Sequence, residues 1–295
     1  MPIQFPARLV LETAPTFGAM LKAFAGSVIP LINSRKVPPL DEVREFKVAP
    51  PSAHLLDKYL AWSGAPADRY DGILPPHFCS HWAMGALATL GGLAPYDVRS
   101  ILNQGLRLQI KAPIQRGESL LLRGQLLSIN EEPSRVRIHT RIVARTAAQG
   151  EVMIIDNYTA IPRGGKSKKA ASTRPDETLY KTIGHWSAGP NEGINFGLLT
   201  GDYNPIHTLW PVARRSKFGG CILQGFGTLA RSFEVIRDAG FDIADIEVRF
   251  IKPLLLPCPM LEVQLAEAPD SKGAQHFRLR NQDGSIHLAG SFFAR

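Results

Sequence analysis

Cysteine is scarce in this chain. Its 295 residues hold three, Cys79, Cys221 and Cys258. They are odd in number, widely spaced and without metal-ligand spacing, so neither a disulfide framework nor a thiolate metal site is expected. A reducing, cytoplasmic compartment fits that usage. Long uncharged apolar runs are missing too. No stretch reaches the roughly 18 residues of a membrane span, so no membrane partner is expected. The apolar run Phe17 to Ile32 is broken by Lys22 and ended by Pro30, and no basic segment precedes it. It reads as an amphipathic helix packed on the body and not as a signal peptide. The last residues, Phe293-Ala294-Arg295, are not a peroxisomal address. Acid is absent between Arg163 and Pro175, where Arg163, Lys166, Lys168, Lys169 and Arg174 supply five of the net charge of +8. No aromatic residues interleave those cations as a stacking surface would need. The segment reads as a basic linker, and no nucleic-acid partner is expected.

What remains is an ordinary globular composition, 44% hydrophobic and 20% charged, able to bury a sizeable core. The linker, 163–176, divides it into 1–162 and 177–295. The two sides repeat each other. Val43 to Val48 is strand-like and leads through Pro51 to a helical stretch ending at Gly64. Leu179 to Trp186 leads through Pro190 to one ending at Gly201, an offset of 137. Leu106-Arg-Leu-Gln-Ile-Lys111 matches Val248-Arg-Phe-Ile-Lys252, with Lys111 and Lys252 at an offset of 141. Between these anchors each half holds a helix candidate, roughly Phe78 to Leu90 closed by Gly91-Gly92, and roughly Gln224 to Ala239 closed by Gly240. Alternating strands follow, at 107–111, 119–128, 135–145 and 151–161, and again at 245–251, 260–266, 275–280 and 285–293. The fold class is α+β, with a long helix wrapped by an antiparallel meander in each half.

The chemistry centres on Leu199-Thr-Gly-Asp-Tyr-Asn-Pro-Ile-His207. It sets Asp202 and His207 five residues apart on a turn built by Gly201, Asn204 and Pro205. An acid and a base so placed suit the handling of a water molecule. At offset 137, Asp202 falls on Ala65, Asn204 on Ala67 and His207 on Tyr70. The first half therefore carries the scaffold without the dyad, which implies one active site per chain.

With Phe218-Gly219-Gly220 and Gln224-Gly225 downstream, this stretch resembles the hydratase motif of the MaoC-like, (R)-specific enoyl-thioester hydratases and 3-hydroxyacyl-thioester dehydratases. The chain as a whole resembles their double-hotdog members, most closely over 178–293. The resemblance implies a hydro-lyase of fatty-acid metabolism that adds water reversibly to trans-2-enoyl thioesters of coenzyme A or acyl carrier protein, without metal or organic cofactor. A homodimer is compatible with it. It implies Asp202 and His207 as the catalytic pair, with either one as base. The backbone N–H near Gly225 would receive the thioester oxygen. Candidate substrate-binding residues are Asn204, Phe218, Gly219, Gln224, Arg249 and Lys252. Asn204 is also expected to hold the loop through backbone bonds. Arg249 and Lys252 suit either the phosphates of the carrier or a solvated strand edge. Leu209 stands where the family often has an acid, and Gln224 where it often has histidine. Both bear on the preference for acyl length or branching. The first half would shape the acyl pocket through its long helix, with Trp82 and Met84 as lining or as plain core.

Other features carry less. His77 and His81 lack a third ligand at metalloprotease spacing and are read as structural. Cys221 has no evident base and is read as inert. Gly225-Phe-Gly227 lacks the third glycine of a dinucleotide fingerprint. The competing functions are a hotdog acyl-thioesterase and a non-catalytic acyl-thioester binding subunit.

Overall fold

Alternation of apolar and polar residues produces the strands. In Arg135–Thr146 nearly every second side chain is buried. The computed structural model describes residues 5–6, 9–28, 39–40, 42–97, 100–163 and 178–295. The expected linker lies outside the described residues apart from Arg163. Chain order is α1 (Leu9–Val28), β1 (Arg44–Val48), α2 (Ala53–Ser63), a 3-10 turn at Pro76–Phe78, α3 (Cys79–Trp82), α4 (Met84–Gly91), β2 (Leu102–Ile110), β3 (Leu120–Glu132), β4 (Arg135–Thr146) and β5 (Gly150–Pro162). The second part runs β6 (Tyr180–Ala188), α5 (Glu192–Thr200), α6 (Pro205–Thr208), α7 (Trp210–Arg215), α8 (Gly225–Asp238), β7 (Ile243–Phe250), β8 (Cys258–Ala266), β9 (Gln275–Asn281) and β10 (Ile286–Ala294).

The strands form one ten-stranded sheet, ordered β1-β3-β4-β5-β2-β7-β10-β9-β8-β6. Read from its two ends inward, the order is the same in each half. Only three strands of each half form a meander. The fourth, β2 or β7, crosses to the far edge, and those two edges pair antiparallel from Gly105↔Arg249 to Gln109↔Asp245. Each sheet curls over its own helix. A Cβ at Gly124 of β3 would lie 2.8 Å from Leu90 of α4, and one at Gly184 of β6 would lie 2.6 Å from Val235 of α8. Both strands need glycine to come that close.

The repeat extends to helix termini. α2 and α5 stop at Gly64 (φ 87°) and Gly201 (φ 84°), whose N–H groups close on Leu60 and Gly197. Glycine enters this left-handed region without steric cost. Two expectations need correction. The first-half helix is not continuous over 78–90 but breaks at Ala83, between α3 and α4. The N-terminal helix begins at Leu9, ahead of the apolar run, and the part of that run beyond Val28 lies outside the described residues. No helix among the described residues is long and apolar enough to cross a membrane.

Buried polar contacts join the halves. Glu234 of α8 takes Tyr70 Oη at 2.7 Å and His77 Nε2 at 2.6 Å, and pairs with Arg69. Trp62 Nε1 donates to Glu192 at 2.6 Å, and Arg231 bonds the same carboxylate while lying 4.5 Å over the Trp62 ring. Burial would push the Glu234 carboxyl up, but the hydrogen bonds and charges of His77, with Tyr70 and Arg69, outweigh it and hold the group below its usual value. Its stabilisation is therefore complete above about pH 4.3, the ordinary glutamate value, and is lost as pH falls through the lower folded value. Glu234→Ala strands its three partners and is expected to cost about 3–5 kcal/mol at pH 7. Urea unfolding should show that difference, and the gap between wild type and variant should shrink on acidification below pH 4.

Candidate active site

The turn that follows α5 is held by its own side chains. The Asp202 N–H donates to Thr200 Oγ1 at 3.4 Å, and Asp202 Oδ1 accepts from the Asn204 N–H at 3.3 Å. Asn204 Oδ1 caps α6 by accepting from the Ile206 N–H at 3.3 Å, and Pro205 opens that helix. So Asn204 does hold the loop through backbone groups. His207, on α6, has Nδ1 2.8 Å from the Ile222 carbonyl. A carbonyl only accepts, so Nδ1 is the donor of this bond and Nε2 is the ring nitrogen left to face the cavity. The turn lies tightly on α5. A Cβ at Gly193 would fall 2.1 Å from the His207 carbonyl oxygen, and one at Gly197 3.1 Å from that of Asp202.

Gln224 ties this turn to α8. It stands at the N-cap of α8, 1% exposed, and its Nε2 donates to the carbonyls of Gly193 at 3.0 Å and Asp202 at 3.1 Å. Because both partners are acceptors, the amide orientation is fixed, and Oε1 is left buried without a partner. The next residue, Gly225, packs under the Phe250 ring, where a Cβ would meet ring carbons at 2.7–3.0 Å. The first N–H groups of α8 have no acceptor within their own helix.

A cavity of about 830 Å³ gathers these pieces. Asp202, His207 and Gly225 line it, as do Asn204, Phe218, Gln224 and Lys252. Lys252 Nζ is occupied by Ser285 Oγ at 2.7 Å. Two expected substrate residues lie elsewhere. Gly219 is an exposed turn glycine at φ 74°. Arg249 points to the outer face of the sheet, into a separate groove with Arg135, Arg137 and His139. Its neighbours Val248 and Phe250 face inward, and strand alternation sends Arg249 the other way. Leu209 is 52% exposed at the start of α7, away from the cavity. Met84 lines the cavity, but Trp82 is core. His77 serves the Glu234 cluster, and His81 bonds the Leu199 carbonyl at 3.0 Å. Cys221 is buried, which pushes its thiol up and away from the nucleophilic form.

Other cavity walls were not foreseen. α1 contributes Phe17, Met20 and Leu21. It rests on the turn, with Thr13 Oγ1 3.0 Å from Tyr203 Oη and Phe17 edge-on to that ring at 5.5 Å. The sheet contributes Thr140, Asn157 and His287. The polar pair Asp156-Asn157 inside the apolar strand β5 was the one available signal for these.

Residues 166–260 match the model of the MaoC-like domain. A search of curated proteins finds no match. The fold is similar to that of HtdX of Mycobacterium tuberculosis, with TM-score 0.70 and 18% identity over 86% of this chain and 100% of that one. It is also similar to a MaoC-like dehydratase of Phytophthora capsici, with TM-score 0.67 and 15% identity over 89% and 98%. A second M. tuberculosis protein, described as having a double hotdog fold, gives TM-score 0.54 and 12% identity over 85% and 94%. The chain thus carries a MaoC-like domain at residues 166–260, set within a double hotdog.

Proposed function

We propose that this chain is a hydro-lyase of fatty-acid metabolism, which reversibly hydrates trans-2-enoyl thioesters of coenzyme A or acyl carrier protein to (R)-3-hydroxyacyl thioesters. The observation that carries this reading is the meeting of Asp202, His207 and the first turn of α8 at one cavity. With Asp202 ionised, its carboxylate and His207 Nε2 both present lone pairs, so one water can donate a hydrogen to each. One of them takes a proton as the water oxygen bonds to C3. The C2–C3 π pair moves toward the thioester oxygen, and the same proton can then be returned to C2. The developing negative charge on that oxygen suits the free N–H groups at the start of α8, where the helix dipole is positive.

Gln224 is then a positioning residue. One amide sets the distance between the water-holding turn and the helix that receives the oxyanion.

The deciding assay uses crotonyl-CoA. Loss of the conjugated enoyl absorbance without release of thiol is expected. Thiol release would make the protein a thioesterase, and binding without turnover would make it a binding subunit. Asp202→Asn and His207→Ala should each lower turnover at least about 100-fold. Wild-type rates in both would sink the site assignment. Gln224→Leu should lower kcat about 10–100-fold with little change in KM, because it shifts the two parts of the site relative to each other and leaves the acyl contacts in place.

A further inference from the structure

The acyl cavity carries hydrogen-bond acceptors with nothing to accept. Asn157 is 7% exposed and His287 4% exposed, and Asn157 Oδ1 and His287 Nε2 are both buried without a partner. Both residues line the cavity. For His287 the assignment is forced. Nδ1 lies 3.1 Å from the Lys252 carbonyl and must donate to it, which leaves Nε2 as the acceptor. Burial lowers the affinity of His287 for a second proton, so the ring stays neutral. Asn157 does not stand alone on its strand. Thr140 and Asn157 are cross-strand partners on β4 and β5, and Thr159 and Asn103 pair one step along, between β5 and β2. All four line the same cavity. Among the described residues the Thr140 hydroxyl bonds only the Asn157 carbonyl, at 3.4 Å.

A plain alkyl chain would cover this polar floor and leave its acceptors unpaired, which is costly in a dry pocket. A chain bearing a donor would satisfy them. The dyad and the start of α8 belong to the second half, so the thioester end must lie there. Asn157, Thr140 and Thr159 belong to the first half, beside the apolar wall of Met84 and Phe17. Resting on the hydratase reading above, we propose that the preferred substrate carries a hydroxyl group on its acyl chain beyond C3, and that Asn157 receives its hydrogen bond, while His287, three strands away on β10 of the second half, lies toward the thioester end. Sites built to hydrogen-bond a substrate hydroxyl discriminate strongly against analogues that lack it.

The test compares medium-chain trans-2-enoyl-CoAs of equal length, unsubstituted or hydroxylated at successive positions toward the methyl end, with crotonyl-CoA as the short reference. Wild-type protein is expected to favour at least one hydroxylated chain by about 10-fold or more in kcat/KM. Asn157→Leu should bring that ratio toward one. Equal or better use of the unsubstituted chain by wild type would overturn the proposal, as would a preference that survives Asn157→Leu. A uniform loss in the variant on every thioester, crotonyl-CoA included, would assign Asn157 to the pantetheine arm and also overturn it. If wild-type protein hydrates no enoyl-CoA at all, the hydratase reading fails. Calorimetric binding of hydroxylated against unsubstituted saturated acyl-CoAs then decides the pocket's preference: tighter binding of a hydroxylated chain upholds it, and equal binding overturns it.

Discussion

The cavity depends on the antiparallel pairing of β2 with β7. Without it each half would expose a strand edge, with its unpaired N–H and C=O groups open to any other edge. With it, two curled sheets share one inner surface, and the space between their helices becomes continuous. The join needs a residue without a side chain. A Cβ on Gly105 would lie 2.1 Å from the Val248 carbonyl oxygen. The polar contacts around Glu234 and Glu192 then fix how the helices of the two halves sit against this surface. Both carboxylates are buried and each is met by donors from the opposite half; Glu192 also has Arg231 of its own half, but Glu234 takes its cationic partner Arg69 from across the join and would be left unpaired without it.

The periodic parts of this architecture were legible in the sequence. Alternation located the ten strands to within a few residues, and the matched glycines at 64 and 201 located the ends of two equivalent helices. The turn at Asp202–His207 was legible for a similar reason. Asn204 and Pro205 dictate a capped short helix through contacts only two residues long. The errors lie where long-range geometry decides. Arg249 was read either as a phosphate contact or as a solvated strand edge, and only the inward Val248 and Phe250 on either side show that it faces outward. The break at Ala83 and the seating of α1 on Tyr203 depend on partners far along the chain. His287 was invisible because its place on the cavity wall comes from a bulge in β10 and a carbonyl 35 residues away.

The two halves build opposite walls of the cavity differently. The turn, Gln224 and the start of α8 form one tightly bonded unit, closed by glycines that leave no room for side chains. The opposing wall comes from α1, α4 and the inner face of β4 and β5, a mixture of apolar and polar side chains under fewer such constraints.

The equivalent turns after Gly64 and Gly201 differ at the position of the histidine. Tyr70 occupies the slot of His207, and its hydroxyl reaches Glu234 in the central helix of the other half. A loop that holds the dyad in one copy works as a clasp in the other. The molecule is symmetric in its backbone and asymmetric in its duties. Exchanging the two loops would therefore unfasten the halves at the same stroke as it removed Asp202 and His207 from their place.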